Sequence, residues 1–277
     1  MSLKKITFQL YSDLHLELTN IVPKIKPLAP YLFLSGDITK VSHTSFNEFF
    51  SYCNNNWEKT FYVMGNHDYW NPHSSMQHIK QEILDRFKQD HLTNIILLDN
   101  NKYSLNDELD IVGSTFWTYS PFVSKYEATM YINDYNMIRI LKEGITRPFN
   151  LTPNDINNLC SSDSTYLSTY LNDDTINQNK KCIIMTHFPP QRTGTSHPKY
   201  GNQSKFMQSY FSHPDGTLNN LKNTSNIVSW ISGHTHYSYD LVSVEGVRLI
   251  SNQNGYTSEV LNKESGLKVD GLFTIML

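Results

Sequence analysis

Short apolar runs that stop at small or acidic residues alternate along this chain with stretches whose apolar positions recur at helical spacing. Residues 6–11, 31–35 and 60–64 read as strands, each ending in a turn, and helices are predicted over 45–55 and 75–89. Strands are expected again at 94–98 and 110–115. The segment 120–171 is longer, more polar and mostly helix-compatible, and Thr152-Pro153-Asn154-Asp155 within it reads as a helix start. Strand character resumes at 181–186, 226–232, 239–243, 247–251 and 272–276. A β-α-β first part and a mostly β end predict an α/β fold of sheets flanked by helices, with 120–171 as an insert or cap. No internal repeat and no Pro/Gly/Ser-rich linker divides the chain, so residues 1–277 read as one domain.

Composition narrows the classes of function. With 39% hydrophobic and 18% charged residues, the chain is too apolar for a disordered protein, and its 277 residues can bury a sizeable core. The formal charge is −3, and no basic run exceeds the pairs Lys4-Lys5 and Lys180-Lys181. A nucleic-acid polymer held by bulk electrostatics is therefore not expected as a partner. No apolar run approaches the roughly 18 residues of a membrane span, and the opening MSLKKITFQL is too short and too polar for a signal peptide. The three cysteines, Cys53, Cys160 and Cys182, are odd in number and form no C-x-x-C, which fits a reducing, cytoplasmic setting. No obligate protein partner is evident.

The polar residues gather after the strands. Strand-like runs end in Asp13-Leu14-His15, in Gly36-Asp37, in Gly65-Asn66-His67-Asp68, in His187 and in Gly233-His234-Thr235-His236. Strand ends are where sites collect in layered α/β folds, because aligned strands bring them to one edge. Each piece alone is unremarkable, since a D-x-H triplet or a strand-end histidine often serves a turn or a hydrogen bond. Together, in this order, they form a set of imidazoles, carboxylates and one amide suited to two divalent transition metals. A carboxylate shared by both ions would let them sit about 3.5–4 Å apart. In an extended segment Asp13 and His15, and likewise His234 and His236, fall on one side. Glycine precedes Asp37, Asn66 and His234, where the chain must turn sharply beside a crowded centre.

The order D-x-H, G-D, G-N-H-D, H, G-H-x-H resembles the calcineurin-like metallophosphoesterase superfamily, in particular its small stand-alone bacterial-type members. Ser12-Asp13-Leu14-His15-Leu16-Glu17, Thr115-Phe116-Trp117-Thr118, Asn133-Asp134-Tyr135, His197-Pro198-Lys199-Tyr200 and Ser251-Asn252-Gln253-Asn254-Gly255-Tyr256 extend the likeness over nearly the whole chain. The resemblance implies a four-layer αββα sandwich of two mixed sheets. It implies that Asp13, His15, Asp37 and His236 hold one metal, and that Asp37, Asn66, His187 and His234 hold a second, with Asp37 as the bridge. Manganese, iron or zinc would fill the sites. The implied reaction is hydrolysis of a phosphate ester by in-line attack of a metal-bridging hydroxide. His67 would assist the leaving oxygen as a proton donor, and Asp68 would orient His67 or anchor the loop.

Departures from the family narrow the substrate. The protein serine/threonine phosphatases follow Gly-Asp with Asp-Arg-Gly, whereas Ile38-Thr39-Lys40-Val41 stands here, so a phosphoprotein substrate is disfavoured. Lipid A–pathway relatives carry arginine where His67 stands. A small-molecule phosphodiester is therefore the expected substrate, with a phosphomonoester as the alternative and a catalytically silent metal-binding scaffold as the reading from another class. Asp134 and Arg139 of the insert, and Arg192 and Tyr200 after the His187 strand, are candidate substrate contacts. Tyr126, Tyr131, Tyr135 and Phe149 offer aromatic surface for stacking on a nucleobase, or else form the insert's own small core.

Overall fold

The computed structural model describes residues 5–19, 21–122, 124–173, 180–200, 205–261 and 265–277, so position 123 of the predicted insert lies outside the described residues. The first half of the chain runs β1 (Lys5–Tyr11), α1 (Leu16–Thr19), β2 (Tyr31–Ser35), α2 (Thr44–Asn56), β3 (Lys59–Val63), α3 (Met76–Gln89), β4 (Ile95–Leu97), β5 (Asn101–Asn106) and β6 (Leu109–Ser114). The second runs α4 (Lys125–Tyr131), α5 (Asp134–Met137), β7 (Arg139–Ile140), β8 (Phe149–Asn150), α6 (Pro153–Asn172), β9 (Lys181–Thr186), α7 (Lys205–Phe211), β10 (Ile227–Ile231), β11 (Tyr239–Val242), β12 (Arg248–Ser251), α8 (Thr257–Leu261) and β13 (Leu272–Met276).

Two mixed sheets result, and their order explains the apolar runs. One sheet is ordered β13-β1-β2-β3-β4, parallel except for β13. The other is ordered β11-β12-β10-β9-β6-β5, with parallel inner strands and an antiparallel strand at each edge. Successive side chains in a strand point to opposite faces, so a strand covered on both sides must be apolar throughout. In β2, Phe33 faces the second sheet among Phe8, Phe61, Ile111, Ile183 and Met185. Its neighbours Leu32 and Leu34 face outward against Phe46, Phe49 and Phe50 of α2 and Ile79, Ile83 and Phe87 of α3. On the far side Val112, Ile184 and Trp230 pack under Leu167 and Leu171 of α6. The layers are therefore α, β, β, α, as the resemblance implies.

The predicted strands and helices recur with ends shifted by a residue or so. Ser75 and Thr152 cap their helices: the Ser75 hydroxyl accepts the N–H of His78 (3.2 Å), and Thr152 forms a capping box with Asp155. Strand β5 had no sequence signal, because NKYSLN is an edge strand with an exposed face and no apolar run. The insert departs from the predicted cap in one respect: its longest helix, α6, is the outer layer of the second sheet. Its other buried side chains, among them Ile132, Tyr135, Ile138 and Leu151, join the core cluster beneath the first sheet's helices rather than a separate small core. Tyr126 and Tyr131 are exposed. Among the described residues no helix is long and apolar enough to cross a membrane.

The sheets approach closely at Gly113 of β6, where an added Cβ would lie 2.3 Å from Leu98 Cβ and 2.9 Å from Val63 Cγ1. Overpacking a close-packed interior costs about 1–3 kcal/mol. Gly113→Ala should therefore lower Tm by roughly 2–4 °C per kcal/mol lost while leaving the far-UV circular dichroism unchanged. An unaltered melting curve would mean that the sheets separate freely here.

Candidate metal centre

The turns after β1, β2, β3, β9 and β10 meet at one edge because those strands run parallel within their sheets. Backbone bonds tie them together: the N–H of Asp13 donates to Gly36 O (3.0 Å), that of His15 to Asp37 O (3.0 Å), and that of Gly233 to His187 O (2.9 Å). The turns are tight enough that Asp13, His15, Asp37, His234 and His236 all have positive φ, between 45° and 73°. That conformation is costly for non-glycine residues and gathers at functional sites. Gly36 has φ +89°, and a Cβ there would lie 2.3 Å from His187 Nδ1. At Gly65 the Cβ would sit 2.1 Å from an Asp37 oxygen, so glycine before Asp37 and Asn66 is required by space.

Proton bookkeeping shows what the turns surround. His187 Nδ1 lies 2.8 Å from the Ser35 carbonyl, which can only accept, so Nδ1 carries a proton and Nε2 is the nitrogen left to ligate a metal. That Nε2 is 3.0 Å from Asn66 Oδ1. The Asn66 amide cannot flip to help, because its Nδ2 donates to Asp134 Oδ1 (3.0 Å) and to the Tyr210 hydroxyl (3.2 Å). On the other side His236 donates from Nδ1 to Glu259 Oε2 (2.6 Å). Its Nε2 then faces His15 Nε2 at 3.1 Å and Asp13 Oδ1 at 3.5 Å. Nitrogen and oxygen donor atoms thus converge on both sides of Asp37, where a cation could take the place of the ring protons that now join them.

Three groups have ligand atoms mutually within 4.8 Å: Asp13, His15 and His236; His15, Asp37 and His67; and Asp13, Asp37 and His187. His234 stands outside these groups, with its ring 5.1 Å from that of His187. Its Nε2 donates to the Tyr210 carbonyl (3.1 Å), which leaves Nδ1 as the free donor atom. Charges respond to the crowding. Burial alone would lower the His187 pKa, but Asp37 and Asp13 outweigh it and raise the ring to about 9. Burial would raise Asp37, yet His187, His67 and His15 hold it well below the usual carboxylate range. In the metal-free protein imidazolium charge therefore compensates Asp37, and a bound metal would displace that proton.

The model of the calcineurin-like phosphoesterases matches residues 7–238. The chain belongs to that family. It is 28% identical over 266 residues to an uncharacterised protein of Acanthamoeba polyphaga mimivirus, covering 90% of each chain. Its fold is similar to that of a phosphopantetheinyl hydrolase from Mycobacterium tuberculosis, with a TM-score of 0.67, 15% identity and coverage of 98% of this chain and 95% of that one. A dimetal phosphatase from Danio rerio is similar at a TM-score of 0.52 and 12% identity, over 90% and 87% of the two chains. Family membership indicates a metal-dependent phosphoesterase, and the buried Asp and His groups are ones that could hold its metals.

Not every expected residue of this phosphoesterase lies where the sequence reading put it. Asp68 accepts the N–H groups of Asp37 (2.9 Å), Ile38 (3.1 Å), Thr39 (3.3 Å) and Gly65 (2.7 Å), so of its two expected roles the structure displays the anchoring of the loops. Asp134 is buried behind Asn66, accepting from its amide and from Trp70 Nε1 (2.7 Å), and is a positioning residue rather than a substrate contact. Arg139 donates to the carbonyls of Asn136 (2.7 Å) in α5 and Ile138 (3.1 Å) just before it, and does not line the cleft. Tyr200 does line the cleft, a cavity of about 170 Å³, together with His67, Tyr210 and Tyr256. Arg192 lines a neighbouring cavity instead.

Three contacts escaped the sequence. The Glu17 side chain is buried with Oε1 3.6 Å from His15 Nδ1 and 3.9 Å from His67 Nδ1, an acid beside both rings. Tyr256 brings its hydroxyl within 3.4 Å of His67 Nε2 and its ring against His15 and His236. Glu259, one turn on in α8, fixes His236. A carboxylate that orients a ligating histidine commonly contributes 10–100-fold in metal affinity. Glu259→Gln should therefore weaken metal binding by about that factor in a chelator-competition titration; unchanged affinity would mean that His236 needs no orienting partner.

Proposed function

We propose that the protein hydrolyses small phosphodiesters in the cleft above Asp37. The convergence of His187 Nε2, Asn66 Oδ1 and His236 Nε2 with His15 and the two carboxylates carries this reading, because hydrogen bonds to Ser35, Asp134, Tyr210 and Glu259 turn the first three inward. Asp13, His15, Asp37 and His236 would hold one divalent ion and Asp37, Asn66, His187 and His234 the other; manganese, iron or zinc suits such donors. When bound, the pair supplies Lewis acidity toward the phosphoryl oxygens and lowers the pKa of a water at neutral pH.

The residues of the chain do the rest. Asp134 and Tyr210 keep the Asn66 oxygen turned inward. His67 lies flat on Trp70, with ring centroids 3.6 Å apart, and lines the cleft beside Tyr256. Burial, reinforced by neighbouring imidazoles against the pull of Asp37, lowers the His67 pKa to about 3. At neutral pH its ring is therefore neutral, and it assists the leaving oxygen as an N–H donor rather than as an imidazolium. Among the described residues no lysine or arginine lines the cleft. That favours a diester, with one negative charge, over a monoester dianion.

The test is turnover of bis-p-nitrophenyl phosphate beside p-nitrophenyl phosphate with manganese. The diester should be preferred, and Asp37→Asn should abolish both turnover and metal binding. Preference for the monoester would replace this reading with a phosphomonoesterase, and two bound metals without turnover of either ester would leave a scaffold. His67→Ala should keep its metals and lose about 10²–10⁴-fold in kcat on an ester with a poor leaving group.

The pH profile tests the charge state of His67. An imidazolium with an ordinary pKa would be lost as pH rises through about 6.5, and kcat/KM would fall with it. With the pKa lowered to about 3, the ring is already neutral above pH 5, so no such fall should occur between pH 5.5 and 7.5. A falling limb near 6.5 that disappears in His67→Ala would restore the imidazolium.

A further inference from the structure

A second cavity, of about 340 Å³, adjoins the cleft and shares Tyr200 and Phe211 with it. His197, Tyr200, Phe211 and Tyr237 give it aromatic walls. His197 packs edge-on to Tyr237 with centroids 5.6 Å apart, and Tyr200 stacks with Phe211 at 5.5 Å. Arg192 closes one side: its Nε is buried without a hydrogen-bond partner, and among the described residues it forms no ion pair. The nearby carboxylate of Asp215 is already engaged by the N–H groups of Arg192 (3.0 Å) and Thr193 (2.8 Å) and by the Thr193 hydroxyl (2.7 Å). A contiguous group of aromatic rings, beside a guanidinium whose buried Nε lacks a partner, makes a place for a flat group bearing hydrogen-bond acceptors.

We propose that this cavity binds a planar aromatic heterocycle of nucleobase type, carried on one ester arm of the substrate whose phosphoryl group lies at the metal centre. This deepens the phosphodiesterase reading and rests on it. Base–aromatic stacking is tolerant of base identity, and a guanidinium adds cation–π attraction and donors to ring nitrogens or carbonyls. The aromatic surface that the insert offered does not serve here: Tyr126 and Tyr131 are exposed and line neither cavity, and Tyr135 is buried. The stacking surface comes instead from the segment between β9 and β10, including the end of α7, and from Tyr237 after β10.

Calorimetric titration of the manganese-loaded protein with adenosine 5′-monophosphate and with ribose 5-phosphate separates the arm from the phosphoryl group. The nucleotide should bind about 10-fold or more tightly than the sugar phosphate, within the range of one stacked base. Tyr237→Ala should remove the difference, and Tyr237→Phe, which keeps the ring, should retain it. Equal affinities in the wild-type protein overturn the subsite and leave the hydrolase reading standing. So does a preference that survives Tyr237→Ala. Binding of neither ligand also overturns the subsite, and it overturns the hydrolase reading only if bis-p-nitrophenyl phosphate is not turned over.

Discussion

Two buried carboxylates hold this site in shape, and neither needs to touch a substrate to do so. Asp68 gathers four backbone N–H groups from the turns after β2 and β3. Asp13 accepts the N–H of His234 at 3.1 Å and the Ser12 hydroxyl, so it ties the first sheet to the second. A residue such as Asp37 or His236 would leave its left-handed backbone conformation if the turn were free, since each such residue costs of order 1–3 kcal/mol. Bonds from both sides leave the turn no alternative. The strain therefore persists where the ligand atoms must converge, and five of the seven expected ligands carry it.

That convergence fixes the electrostatics. Asp13 and Asp37 are fully desolvated beside four imidazoles, an arrangement that water cannot stabilise. Without a metal the histidines compensate, which is why His187 is driven up while Asp37 is driven down. The outer hydrogen bonds, His187 to Ser35 and His236 to Glu259, then decide which nitrogen is left to face inward. The inner donors are generic chemistry; the outer partners turn them into a directed set.

This division explains what the sequence could and could not disclose. The ligands were legible because the geometry of parallel strands is simple: apolar runs mark the strands, and the residues after them must meet. The glycines before Asp37 and Asn66 were legible for the same reason, as positions with no room for a Cβ. Glu17, Glu259 and Tyr210 were not, because each reaches the site from a helix whose placement depends on tertiary packing. Asp134 was noticed and given the wrong neighbour: its burial behind Asn66 follows from how the insert packs on the core, which no local pattern encodes. The same packing turned α6 from an expected cap into an outer layer.

The distribution of positive charge bears on selectivity. For the proposed substrate, a cleft with no lysine or arginine among its described lining would leave the phosphoryl group dependent on the metals and on neutral donors such as His67 and Tyr256. Extra positive charge there would favour the dianion of a monoester, so its absence lowers the discrimination against a singly charged diester. Arg192, nearest in sequence to the His187 turn, sits beyond Tyr200 and Phe211 in the second cavity. At that remove it could act, in the proposed complex, only on what the phosphoryl group is attached to. On the proposed reading the fold would separate two tasks, with strand-end residues handling the phosphorus and the segments after β9 and β10 the alcohol.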